Sequence, residues 1–169
     1  MPNVVISLTN AQTILTKVNA LKTSIIDLTP AFRSIGESLL FSHAERARQE
    51  IAPNGSKWAP NRPYTIEMYW AKRGYKKGSR PKTKPKILRD SGTLLDTMTY
   101  KASSNSVIFG TSMAASGYAY LMQYGAKKNR SLGIWGDIPA RPFIGFSATD
   151  KTYAMLTISN YIRKQQEKI

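Results

Sequence analysis

The stretch Ile138-Pro-Ala-Arg-Pro-Phe-Ile-Gly-Phe-Ser-Ala-Thr-Asp150 decides how the C-terminal part of this chain is built. Pro139 and Pro142 each fix their own φ and push the residue before them toward extended geometry, so the segment runs stiff and open. Ser147 stands three residues ahead of Asp150, the spacing of a capping box, in which each side chain takes up the other's backbone N–H. An extended lead-in therefore delivers the chain into a last helix, whose Tyr153, Leu156, Ile158 and Ile162 are spaced to pack on a sheet. Within the lead-in, Phe143 and Ile144 suit a core plug. Arg141, held between two prolines, is expected to be presented to a neighbouring subunit or a partner carboxylate. Phe143, Trp58 and Trp135 join Arg141 in the set expected at subunit or partner interfaces.

Moving outward toward the N-terminus, residues 126–137 carry Lys127, Lys128, Arg130 and Trp135 and read as a basic loop. "SGYAYLMQYGA" before it reads as a short helix ended by Gly125. Thr97, Thr99 and Lys101 alternate with Met98, Tyr100 and Ala102, and "SVIFGTS" follows the turn residues Ser104 and Asn105. That is a hairpin with Met98, Tyr100, Val107 and Phe109 as core positions. At the start of the chain, residues 3–8 alternate as a short strand, and Asn10 caps a helix carrying Ile14, Leu15, Val18, Leu21 and Ile25. Thr29 is expected to cap a second helix with Pro30 in its first turn and Phe32, Ile35, Leu39 and Leu40 on its apolar face. Ala52-Pro-Asn-Gly55 ends it. The order is β-α-α-loop-β-β-α-loop-α: an α+β fold with a small antiparallel sheet packed by N-terminal helices and a C-terminal helix. At 169 residues, with 41% hydrophobic content, the chain suits one domain spanning 1–169.

Residues 55–89 break this regularity. Pro60, Pro63, Pro81 and Pro85 exclude long regular elements, and between Glu67 and Asp90 the chain is basic without an acid. Lys72, Arg73, Lys76, Lys77, Arg80, Lys82 and Lys84 make this an extended basic arm inserted before the hairpin, expected to meet an anionic partner. The whole chain carries +15. Tyr69, Trp70 and Tyr75 interleave with these cations, the mixture that phosphate neutralisation and base stacking require, so a non-specific nucleic-acid-binding protein using 72–89 is the competing reading.

Signals for catalysis are poor. The chain has no cysteine and one histidine, which excludes thiolate metal sites and any two-histidine ligand set. His43 falls on the polar run-out of the second helix and is expected to be solvated. Asp90 and Asp96 could make an acid/base or Mg²⁺ pair, but Asp90-Ser-Gly-Thr93 is turn chemistry, with the carboxylate on nearby backbone N–H groups. Neither a cofactor nor an enzymatic activity is expected. The opening "MPNVVISLTN" lacks the basic start and apolar run of a signal peptide, and no window is long and apolar enough for a membrane span. Synthesis in the cytoplasm and no membrane partner are the expectations.

Several separated stretches then fall into one order: "GSKWAP" from Gly55, "ILRDSGTLLDTM" from Ile87, "SVIFGTS" from Ser106, "YAYLMQYGA" from Tyr118 and "IPARPFIGFSATD" from Ile138. The set resembles the virion morphogenesis, or tail-completion, family of tailed bacteriophages, the group that includes the G protein of phage Mu. The pair "LRDSGTL" and "IPARPF" carries most of the likeness. It departs at Met122, where the family often has histidine. The resemblance implies a structural virion protein at the neck, made in the host cytoplasm. It also implies a homo-oligomeric ring, six subunits being expected from the six-fold tail tube. Its implied neighbours are the portal or connector, a tail terminator and tail tube proteins, with DNA in the channel as a further contact.

Overall fold

Every fourth residue from Ala31 to Ala47 is buried: Ala31, Ile35, Leu39, His43 and Ala47. That row lies on one side of the helix α1, Thr29–Gln49, and the hairpin and the last helix both pack on this helix. The computed structural model describes residues 16, 19, 27–111, 113–134 and 136–168. The strand expected at 3–8, most of the helix expected after Asn10, and Trp135 lie outside them. Pro30 stands in the first turn of α1 as expected. Thr29 is not its cap, because its N–H donates to Asp27 Oδ1 at 3.1 Å and Leu28 takes the N-cap position without a side-chain bond.

The hairpin of β1, Thr99–Ala102, and β2, Val107–Gly110, is antiparallel with Tyr100 opposite Phe109. It packs against α1. Gly36 is what permits the close approach, since a Cβ there would overlap the Tyr100 ring. The last helix, α5, Ala148–Gln166, also packs on α1. Its predicted seat on the sheet is thus corrected: the hairpin already occupies another part of the same helix. Arg46 meets Asp150, and Tyr161 OH donates to the Asp27 carbonyl at 3.3 Å, so α1 and α5 run antiparallel. Tyr153 and Leu156 remain exposed.

Residues 63–72, read above as part of an irregular arm, form the ten-residue helix α2, Pro63–Lys72. The prolines sit at its boundaries. Pro63 occupies the first turn, where its missing N–H costs nothing, and no further proline occurs before Pro81. A short helix α3, Thr93–Asp96, precedes the hairpin, and α4, Met113–Tyr124, follows it. Gly125 ends α4 at φ +73°. The described residues are therefore α+β, five helices with one two-stranded antiparallel sheet. A cluster of Ala47, Ala52, Trp58, Ile87, Leu94, Leu95, Ala119 and Phe143 forms the core beside the end of α1.

Candidate assembly surfaces

The IPARPF segment is held at nearly every residue. Ile138 exchanges backbone hydrogen bonds with Ala126 at 2.7 and 2.9 Å, which requires Gly125 because a Cβ there would meet the Ile138 carbonyl. The Arg141 N–H donates to the Met122 carbonyl at 2.7 Å. Its guanidinium donates to the carbonyls of Ala59 at 2.7 Å and Pro60 at 3.0 Å. Trp58 Nε1 donates to the Pro142 carbonyl at 2.7 Å. Gln123 Oε1 accepts the N–H groups of Phe143 and Ile144, and Gln123 Nε2 donates to the Ile144 carbonyl at 2.9 Å. Beyond the Ile138–Ala126 bridge this extended backbone has no strand beside it, and the Met122 carbonyl with the side chains of Trp58 and Gln123 satisfies it instead.

Three residues expected at an interface are therefore inside the chain. Phe143 is 1% exposed, Trp58 is buried, and Arg141 is 7% exposed. The prolines do hold Arg141 out from its own backbone, but they aim it at the Ala59–Pro60 carbonyls rather than at solvent. Burial and the nearby Arg62 lower its pKa, and no carboxylate among the described residues pairs with it.

Beyond Phe143 the segment docks on α1. Arg46 donates to Asp150 Oδ2 at 2.8 Å and to the Gly145 carbonyl at 3.2 Å, and it also bonds the Ser42 hydroxyl. The expected capping box is present: Asp150 N–H donates to Ser147 Oγ at 3.1 Å, and Ser147 N–H to Asp150 Oδ2 at 2.8 Å. Burial alone would raise the Asp150 pKa. Hydrogen bonds from Ser42 and Ser147 and the Arg46 charge outweigh it and hold the carboxyl below its usual range.

His43 is also a correction. It is 3% exposed and lies edge-on to Phe109 and Phe143, at 5.9 and 6.3 Å between centroids. Its Nε2 has no hydrogen-bond partner among the described residues. Burial, assisted by Arg46, lowers its pKa to about 4. The sequence signal for this was the four-residue spacing from Leu39 to Ala47, which puts His43 on the apolar row.

The basic arm divides into two sets. Lys72 and Arg73 both bind Asp90, at 3.0 and 3.2 Å, and Arg80 binds Glu67 at 3.2 Å. The Lys72 hydrogen bond, joined by Arg73, holds the Asp90 carboxyl below its usual range. Asp90 is thus a charge partner, not the turn residue expected. The turn is made by Ser91, whose Oγ accepts the Thr93 N–H at 3.3 Å. Asp96 is tied to a different cation, Arg89, at 3.4 Å. Lys76, Lys77, Lys82 and Lys84 are exposed and make no ion pair among the described residues. The aromatics meant to interleave with them pack on one another: Trp70 lies edge-on to Tyr69 at 5.0 Å and to Tyr75 at 5.3 Å, and Arg73 caps the Tyr69 ring at 3.4 Å.

Helix α2 and the 85–94 stretch enclose a cleft of about 540 Å³, closed at one side by Tyr118 and Met122 of α4. Tyr64 and Met68 line it while remaining exposed. The sequence reading missed this cleft because it missed α2.

The segments that build this arrangement are the ones whose order suggested a family, and the phage virion morphogenesis family matches the chain over residues 6–164. The chain belongs to that family. No curated protein and no solved structure matches it. As a virion morphogenesis protein it has a structural role in phage assembly, in association with the virion. For such a protein the candidate site is a contact surface, and two surface features of this morphogenesis protein are candidates: the exposed lysines of the arm and the cleft beside them. Among the described residues no three His, Asp or Glu side chains gather as metal ligands, and no helix is long and apolar enough to cross a membrane.

Proposed function

We propose that this protein is a neck or tail-completion adaptor, which closes into a ring of six subunits between the head connector and the tail. The observation that carries the reading is the pairing of family membership with a projecting set of uncompensated cations, Lys76, Lys77, Lys82 and Lys84, on a firmly held fold. A like-charged ring lining the channel would hold DNA phosphates and retard their passage, so the arm lies outside or between subunits and meets an acidic protein surface. The competing use of the arm, non-specific DNA binding, needs aromatic rings free to stack on bases. Packing of Tyr69, Trp70 and Tyr75 on each other and on Arg73 favours the protein partner.

The test is electron microscopy of particles made without this protein. Separate, otherwise complete heads and tails are expected. Joined, infectious particles would remove the adaptor reading. Duplex-DNA binding with a steep salt dependence, retained by a variant unable to form the ring, would favour the competing one.

A further inference from the structure

The arm's lysines are the obvious anionic-partner surface, but the cleft beside them adds apolar selectivity. Its walls carry Tyr64, Met68 and Tyr118, each at least partly exposed, with Leu88 and Met122 deeper. Large apolar side chains that stay exposed together on a protein surface mark a contact site. Lys86, which makes no ion pair among the described residues, and Arg89, paired with Asp96, stand on the wall formed by 85–94, and Arg141 lines the same space with its guanidinium held by the Ala59 and Pro60 carbonyls. Arg141 has carbonyl partners and no counter-ion among the described residues. Asp90 also lines the cleft, but Lys72 and Arg73 already neutralise it.

A second copy of this chain fits the cleft poorly. Of its ten acidic residues, all but Glu167 already accept a hydrogen bond or an ion pair within the described fold. Nucleic acid would satisfy the cations but leaves the methionine and leucine surfaces without a matching partner, and a protein segment satisfies both.

We infer that this cleft is the docking site for an acidic segment of a different protein, which seats an apolar side chain against Tyr64, Met68 and Tyr118 and brings a carboxylate toward the exposed Lys86 and Arg89. The inference rests on the adaptor reading for its setting and names the chemistry of the partner.

The test places p-benzoylphenylalanine at position 64 of the full-length protein, supplied to phage lacking their own copy. Joined particles are irradiated and the crosslink is mapped by mass spectrometry. The expected product joins position 64 to another virion protein, within a segment where carboxylates flank an apolar residue. A crosslink to a second copy of this chain, to DNA or to a segment without carboxylates overturns the inference, and so does failure to crosslink in joined particles. If the substituted protein does not join particles, the photoprobe moves to Thr65, which also lines the cleft. A second readout uses Tyr64→Ala with Met68→Ala. Both side chains are exposed, so thermal unfolding is expected to stay as in the parent, while losing two anchors lowers joined particles about tenfold. Normal joining by this folded double variant overturns the cleft inference and leaves the adaptor reading standing. The adaptor reading fails separately, when particles without the protein join.

Discussion

Protonation of His43 makes this fold acid-sensitive in a window where few other groups respond. The chain has one histidine, and the fold lowers its pKa from 6.5 to about 4 by burying it between Phe109 and Phe143. Below pH 6.5 the unfolded chain takes up a proton that the folded chain refuses until about pH 4. The unfolded state therefore binds more protons, and stability falls as the pH drops through that interval. One pKa unit is about 1.4 kcal/mol. The loss is then about 2 kcal/mol between pH 7 and 5, and about 3 kcal/mol by pH 4. For a chain of this size, 2 kcal/mol lowers Tm by about 4–8 °C. Asp90, Asp137 and Asp150 have pKa values depressed below 3.8. Their stabilisation is present above that value and is lost only as the pH falls further, so they leave the interval from 7 to 5 to the imidazole. Circular-dichroism melts of the parent and of His43→Leu at pH 7, 6 and 5 check the reasoning. Leucine keeps apolar bulk against both rings and cannot titrate. The parent is expected to lose stability across the series and the variant to stay nearly flat. Parallel losses in the two proteins would refute the assignment.

Three further outcomes are expected. Asp150→Ala strands the buried guanidinium of Arg46 and removes half of the capping box, costing about 3–5 kcal/mol in urea unfolding at pH 7. Gly36→Ala pushes the Tyr100 ring off α1 at a cost of about 1–3 kcal/mol, and that cost is expected to shrink in a Tyr100→Ala background, as a double-mutant cycle would report. Arg141→Glu turns a carboxylate toward the Ala59 and Pro60 carbonyls and is expected to unfold the protein. A soluble Arg141→Glu variant melting with the parent would contradict the internal role given to this side chain.

A local pattern is sufficient at the last helix, at the end of α4 and in the hairpin. Ser147 and Asp150 cap the last helix because both bonding partners lie within one turn. Gly125 ends α4 because the left-handed backbone it needs is a property of that one residue. The hairpin register follows from alternation around a short turn. At α2 the signal is local too: Pro63 stands in the first turn of a helix, where proline marks a start rather than a break.

His43 and Arg141 mark the boundary between sequence and structure. The sequence by itself determined that His43 sits four residues from both Leu39 and Ala47, and that two prolines stiffen the backbone around Arg141. It did not determine what covers either side chain. Phe109, far along the chain in the hairpin, and Phe143, from the extended segment, close over the imidazole, while carbonyls more than eighty residues away receive the guanidinium. Periodicity specifies a face and capping specifies an end, because both act within a few residues. Burial of a polar group is decided by which distant atoms arrive to replace water, and only the tertiary structure brings those atoms together.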